Sequence, residues 1–299
     1  MSSEFTLAKA EVRRSFDRAA RTYDDAAVLA REVADRMLER LDLLKAVPQR
    51  LLDLGSGTGY CAARLRDRYP HCLVVELDFA RNMLLRSRNQ RPWWRRRLAA
   101  LTGDSARAVC ADMEALPFAD RSFEMVWSNL ALNWADTPER VFAECWRVLR
   151  PGGVFMFSTL GPDTLKELRE AYASADRHVH VNRFIDMHDL GDGLVRNRLA
   201  DPVMDMEHIT LSYADVRALL AELKASGAGN FNFGRNSALS GKTRFAACIG
   251  SYERLRKNDR LPATFEVVYG QAWKPEREDV RSDGRAVIRF HEPHRVSRP

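Results

Sequence analysis

The sequence predicts an α/β fold, a largely parallel sheet with helices on both faces. Short apolar runs at residues 51–54, 72–77, 107–110, 123–128 and 154–159 alternate with segments of helical periodicity. The first run passes through Asp53-Leu54 into glycines at alternate positions, Gly55, Gly57 and Gly59, which suits a buried strand turning sharply into a helix. The second, Val74-Val75-Glu76-Leu77-Asp78, also ends on an acid. Near-continuous apolar strands of this kind belong to a sheet covered on both sides.

Ahead of the first strand, Val28, Leu29, Val33, Met37, Leu38 and Leu41 recur at three- and four-residue spacing. A helical segment over 8–48 is therefore expected to precede the sheet and lie over its pocket as a lid. A helix over 138–149 ends before Pro151-Gly152-Gly153, which cannot continue it. After Thr159 the rhythm changes, with helices expected over 163–175 and 186–199 and a polar stretch between them. This insertion after the fifth strand (160–200) reads as a substrate lid. Residues 202–211 and 264–272 read as two last strands, separated by a helix over 213–224 and a Gly/Asn-rich loop over 227–241. One domain is expected over 1–275. The polar remainder, 276–299, with six arginines and five acids, reads as a disordered tail.

A chain of 299 residues with 45% hydrophobic content can bury the core of one enzyme-sized domain. Five cysteines without C-x-x-C spacing point to reduced, buried thiols in a cytoplasmic protein. His178 and His180 have no cysteine nearby to complete a zinc pattern, so a hydrogen-bonding role is expected and no metal. The N-terminus mixes charges with apolar residues, and no run approaches the ~18 apolar residues of a membrane span. The net charge of +6 is concentrated at residues 81–107, where eight arginines face the single acid Asp104. Within it, Arg91-Pro92-Trp93-Trp94-Arg95-Arg96-Arg97 reads either as a solvated loop or as a contact for an acidic protein. No nucleic-acid module accompanies it, so no nucleic-acid partner is expected.

A glycine-rich strand-to-helix turn serves nicotinamide enzymes and methyltransferases alike, and spacing separates them. The dinucleotide pattern G-x-G-x-x-G needs glycine where this chain has Tyr60, whereas G-x-G-x-G is satisfied. That favours an adenosine cofactor without a pyrophosphate. Ala111-Asp112-Met113-Glu114, then Ser128-Asn129-Leu130 after the fourth strand, then Val148-Leu149-Arg150-Pro151-Gly152-Gly153 follow in order. With them the chain resembles the class I S-adenosylmethionine-dependent methyltransferases, whose sheet is Rossmann-like. The resemblance implies that S-adenosyl-L-methionine is bound and S-adenosyl-L-homocysteine released. It also implies that Asp53 helps hold the methionine end, that Gly55, Ser56, Gly57 and Gly59 form the cofactor loop, that Asp78 beside Phe79 accepts both ribose hydroxyls, and that Asp112 and Met113 meet the adenine. Asn129 and Leu130 would line the methyl-transfer site. A carboxylate suits a vicinal diol because its two oxygens accept two donors in parallel.

The segments Ser15-Phe16-Asp17-Arg18-Ala19-Ala20-Arg21-Thr22-Tyr23-Asp24, Ser128-Asn129-Leu130-Ala131-Leu132-Asn133-Trp134 and His180-Val181-Asn182-Arg183-Phe184 narrow the likeness. Together they resemble the malonyl-acyl-carrier-protein O-methyltransferases of biotin synthesis. The departures are Asn133, where glutamine is expected in many relatives, the arginine/tryptophan insertion and the polar tail. The resemblance implies attack of a malonyl carboxylate on the sulfonium methyl, with an acidic acyl carrier protein as partner. A carboxylate is ionised at pH 7, so no general base is needed and catalysis reduces to positioning. Tyr23 is expected to close over the reactants. An arginine fork suits the substrate carboxylate, with Arg183 the first choice and Arg235 the second. Two other readings stay open: a methyltransferase of the same fold acting on a quinone precursor or small acid, and a methyltransferase-like assembly factor without methyl transfer.

Overall fold

The computed structural model describes residues 7–90, 108–174, 176, 178–232, 235 and 241–276. The Arg91–Arg97 stretch and nearly all of the tail lie outside them. Seven strands form one sheet in the order β3-β2-β1-β4-β5-β7-β6. They are β1 (Arg50–Leu54), β2 (Leu73–Asp78), β3 (Ala108–Cys110), β4 (Phe123–Ser128), β5 (Leu149–Leu160), β6 (Ala200–Tyr213) and β7 (Leu261–Trp273). The first five pair in parallel, and β7 runs antiparallel between β5 and β6. The switch point lies at β1, whose neighbours β2 and β4 carry crossovers to opposite sides, and ligand crevices form beyond the carboxyl ends of such strands.

Three helices precede the sheet: α1 (Lys9–Ala19), α2 (Tyr23–Ala26) and α3 (Val28–Arg40). Next come α4 (Tyr60–Arg68) after β1, α5 (Arg81–Gln90) after β2 and α6 (Pro138–Val148) after β4. Between β5 and β6 lie α7 (Lys166–Ala173) and α8 (Met187–Arg196). Between β6 and β7 lie α9 (Val216–Ala225) and α10 (Lys242–Glu253). Helices α8 and α9 start where an acid caps them: Asp186 accepts from the His188 N–H and Asp215 from the Ala218 N–H, both at 2.8 Å.

The two faces of the sheet bury separate cores. One packs Phe142, Phe155 and Phe157 with Leu190 and Leu194, so α8 covers the sheet itself. The other packs Val33, Met37 and Leu41 of the N-terminal segment against Trp127, Met125 and Leu65. A third core joins α7, α9 and α10 through Leu168, Leu219, Cys248 and Tyr252, off the carboxyl ends of the strands. The body over the pocket thus combines α7 with the β6–β7 connection. Helix α10, with Phe245, Cys248, Ile249 and Tyr252 at helical spacing, was not anticipated. Strand β5 begins at Leu149 rather than Val154, because Gly152 and Gly153 exchange backbone hydrogen bonds with Lys274 and keep the chain extended. The expectation of buried thiols is corrected in part: Cys61, Cys145 and Cys248 are buried, but Cys72 is half-buried and Cys110 exposed at the end of the short β3. All five are free thiols. Among the described residues no helix is long and apolar enough to cross a membrane, and no group of three His, Cys, Asp or Glu side chains could hold a metal.

Phe142 sits between α8 and the sheet, its ring 6.2 Å from those of both Phe155 and Phe157. Phe142→Ala is expected to lower the unfolding free energy by about 3–5 kcal/mol. The readout is a lower urea midpoint at unchanged slope. An unshifted midpoint would contradict this view of the core.

Candidate active site

The turn after β1 is set by backbone conformation. Gly55, Gly57 and Gly59 have φ of +76°, +55° and +88°, a region that side chains with a Cβ rarely adopt. Two of them are also confined: a Cβ at Gly55 would lie 2.2 Å from that of Ala131, and one at Gly59 2.2 Å from the Ser87 Oγ. Gly57 meets only Tyr23, at 3.8 Å, and so leaves its side of the loop open. The Gly55 and Ser56 N–H groups donate to the Leu77 carbonyl at 2.8 and 3.0 Å, tying the turn to the end of β2.

Asp78 completes that tie. One carboxylate oxygen accepts from the Gly57 N–H at 2.9 Å and the other from the Ala80 N–H at 2.8 Å. Burial pushes its carboxyl up to about 6, against the lowering effect of those two donors. Asp53 is also buried, and one of its oxygens has no hydrogen-bond partner, as is true of the Ser56 hydroxyl beside it. Burial and the neighbouring Glu76 hold the Asp53 carboxyl well above the usual range. Glu76 is cross-strand partner to Asp53 and pairs with Arg66 and Ser87. Sequence reasoning gave Glu76 no role, although an acid inside a buried apolar run signals a partnered charge.

Gly55, Gly57 and Asp78 edge a groove of about 620 Å³, open to solvent, that runs past Phe79 and Met113 to Asp112. Asp112 accepts from the Glu114 N–H at 3.0 Å and pairs with Lys9 of α1 at 2.5 Å. Burial works against the Lys9 charge, but hydrogen bonds to Asp112 and Glu114 outweigh it and raise its pKa. At the end of β4, Asn129 is held at both ends of its amide: the nitrogen donates to the Ala30 carbonyl at 2.8 Å and the oxygen accepts from the Ser158 hydroxyl at 2.9 Å. Leu130, with φ of +47°, donates its N–H to both the carbonyl and the hydroxyl oxygen of Ser158. Asn129 therefore fixes the loop that presents Leu130 to the groove.

The N-terminal segment is clamped across this site by two acids that sequence reasoning left without roles. Asp17 accepts from the Asn82 N–H at the start of α5. Asp24 accepts from Thr58 in the glycine turn at 2.6 Å and pairs with Arg86. Between them, Tyr23 borders the groove, the small pocket of Asp53 and Ser56, and a larger cavity. Burial and then the Asp78 carboxylate raise the Tyr23 pKa, so the side chain stays a phenol.

The larger cavity, about 1340 Å³ including its open mouth, is mainly apolar. Phe16, Tyr23, Leu130 and Trp134 line both it and the groove and so form their common wall. None of the described residues lining the cavity is an arginine. Arg183 lines an adjoining pocket with Asn133 and Asp136. Arg235 donates to the Asn230 carbonyl and pairs with Glu11 of α1. The structure thus gathers Tyr23, Asn129 and the glycine turn at one place and sets both nominated arginines outside the cavity wall. His180 does line the cavity, stacked on Tyr172 at 3.9 Å and bonded to Asp176 at 2.7 Å. Asn133, with its amide donating to the Leu130 carbonyl and accepting from the Trp134 indole, braces the common wall.

Residues 52–157 match the family model described as a methyltransferase domain. A malonyl-[acyl-carrier protein] O-methyltransferase of Laribacter hongkongensis is 54% identical over 98% of this chain and 99% of its own length. The chain belongs to the malonyl-[acyl-carrier protein] O-methyltransferase family. A second member, from Gallionella capsiferriformans, is 51% identical over 96% of this chain and 98% of its own. In fold, a putative methyltransferase from Bacillus halodurans superposes with a TM-score of 0.54 at 16% identity, covering 81% of this chain and 98% of that one. For a methyltransferase of this family, the unpartnered Asp53 oxygen, the open Gly57 and the paired acceptors of Asp78 suit a nucleoside carrying a charged amino-acid end.

The raised Asp78 carboxyl gives this fit a pH signature. Its pKa lies above the ordinary 3.8, so the free protein loses stability from this group as pH rises from about 4 to about 6. A ligand whose hydroxyls donate to the carboxylate favours the ionised form, so its affinity falls as pH drops through about 6. S-adenosylhomocysteine, titrated calorimetrically, is expected to bind about tenfold more weakly per pH unit below that point. Asp78→Asn should weaken binding and remove this limb. Affinity independent of pH in the wild type would contradict the assignment.

Proposed function

We propose that this chain transfers a methyl group from S-adenosylmethionine to the free carboxylate of a malonyl thioester carried by an acyl carrier protein, an early step of biotin synthesis. The observation that carries the reading is the common wall: a groove suited to a nucleoside and an apolar cavity suited to an acyl thioester arm meet at Phe16, Tyr23, Leu130 and Trp134. The family relatives supply the identity of the acceptor.

When bound, S-adenosylmethionine supplies an electrophilic methyl, which passes to a carboxylate oxygen as the carbon–sulfur bond breaks. No proton moves, because the acceptor is already ionised at neutral pH. The chain's own work is positioning and exclusion of water. Asp53, the glycine turn with Ser56, and Asp78 with Phe79 hold the methionine and ribose ends. Asp112 and Met113 face the base, and Asn129 and Leu130 set the floor at the transferring end. Tyr23, held as a phenol, donates to the carboxylate oxygen that does not attack. Arg183 stands behind Asn133 and biases the site toward an anion from the second layer.

The test is formation of S-adenosylhomocysteine with malonyl-carrier protein and with acetyl-carrier protein as control. Turnover on the malonyl form alone supports the reading. Cofactor binding without turnover on either would favour another acceptor or the assembly role. Tyr23→Phe is expected to lower kcat/KM by about tenfold to a hundredfold, the worth of one buried hydrogen bond to a charge. Arg183→Gln should raise the KM for the malonyl substrate and leave cofactor affinity alone, whereas Arg183→Lys, which keeps the charge, should change neither.

A further inference from the structure

Beside the large cavity, α1 and the turn before α2 meet the end of α9. Ser15 donates to the Gly227 carbonyl at 3.2 Å and Thr22 to the Ala225 carbonyl at 2.8 Å, which closes this seam side by side with Lys224. Lys224 is exposed and yet lines the cavity, so it stands at the mouth. Along the outer face of α1, Arg14 and Arg18 lie one helical turn apart, with Arg21 in the turn that follows, all three exposed.

The acids of α1 are turned away from these arginines. Glu11 is taken by Arg235 and Asp17 by the Asn82 N–H. Among the described residues Arg14, Arg18, Arg21 and Lys224 form no ion pair, whereas arginines such as Arg36, Arg40, Arg66 and Arg147 do. Cations left unpaired in a row beside an apolar channel mouth raise the local potential for an anionic partner. They also leave that partner free to supply every counter-charge.

We propose that the acidic carrier protein docks on this face, with Arg14, Arg18 and Arg21 against its carboxylates and Lys224 against the phosphodiester at the base of the arm threading the cavity. The inference rests on the proposed carrier-bound substrate and gives it a place of contact. An arm admitted at Lys224 runs inward to the common wall at Tyr23 and Trp134, which is where its terminal carboxylate must arrive. The carrier then covers the seam between α1 and α9, the two elements that frame the mouth.

Direct binding of holo-carrier protein without any malonyl group, measured by fluorescence anisotropy, separates this surface from the reaction. Wild-type affinity should fall steeply from low to high salt. The R14A/R18A/R21A variant should bind about tenfold or more weakly, with a shallower salt dependence, and K224A should weaken holo-carrier more than apo-carrier, which lacks the phosphate arm. Replacing the three arginines by lysine should restore most of the affinity, which a purely structural role of the guanidinium groups would not allow. Salt-independent binding, or equal affinity of wild type and alanine variant, would overturn the proposal. Salt-sensitive, arginine-dependent binding without methylation of the malonyl form would uphold the surface and sink the proposed reaction.

Discussion

The Asp78 carboxylate, accepting the Gly57 N–H with one oxygen and the Ala80 N–H with the other, joins the turn after β1 to the turn after β2. Both turns leave the carboxyl ends of neighbouring parallel strands, where no further ladder partner holds the backbone. Without this acceptor, the Gly57 N–H would lose its side-chain partner. The same carboxylate is raised by burial, so it is held in a state that gains from additional donors. A ribose diol provides two. In the proposed complex the group that builds the loop would also supply the recognition.

The N-terminal helices depend on that turn in their own right. Asp24 grips Thr58 within it, Asp17 caps α5, and the Asn129 amide reaches up to Ala30. Lys9 bridges to Asp112 and Glu114 at the far end of the groove. The helices are therefore fastened to each loop that a cofactor would touch. Tyr23 enters the site as a consequence of these fastenings, because it immediately precedes the Asp24 anchor. Contacts made through exposed ion pairs and single hydrogen bonds are individually weak.

Much of this was legible in the sequence because buried parallel strands write themselves as unbroken apolar runs, and alternating glycines with flanking acids mark the turn between them. The strands and the order of helices followed, and the family likeness agrees with relatives over nearly the whole chain. What escaped has physical reasons. Helix α10 follows a loop rich in glycine and asparagine and presents a weak apolar stripe, so it was passed over. Cys110 sits in an apolar run but ends a three-residue strand, where burial stops. The position of Arg183 outside the cavity wall is a tertiary outcome that no local pattern encodes. The pairing of Asp17 and Asp24 with distant backbone and hydroxyl groups is likewise long-range.

Transfer of a methyl group to a carboxylate converts an anion into a neutral ester, a change that the shared wall of aromatic and aliphatic side chains, with Tyr23 held as a phenol, suits. The most direct test follows the group itself. Purified protein is given S-adenosylmethionine labelled with a trideuterated methyl, together with malonyl-carrier protein, and the released acyl arm is sequenced by tandem mass spectrometry. The account requires the label on the malonyl carboxyl oxygen as an ester, with none on the malonyl α-carbon or on the carrier polypeptide. Label at carbon, label on protein side chains, or no label with cofactor bound would contradict it.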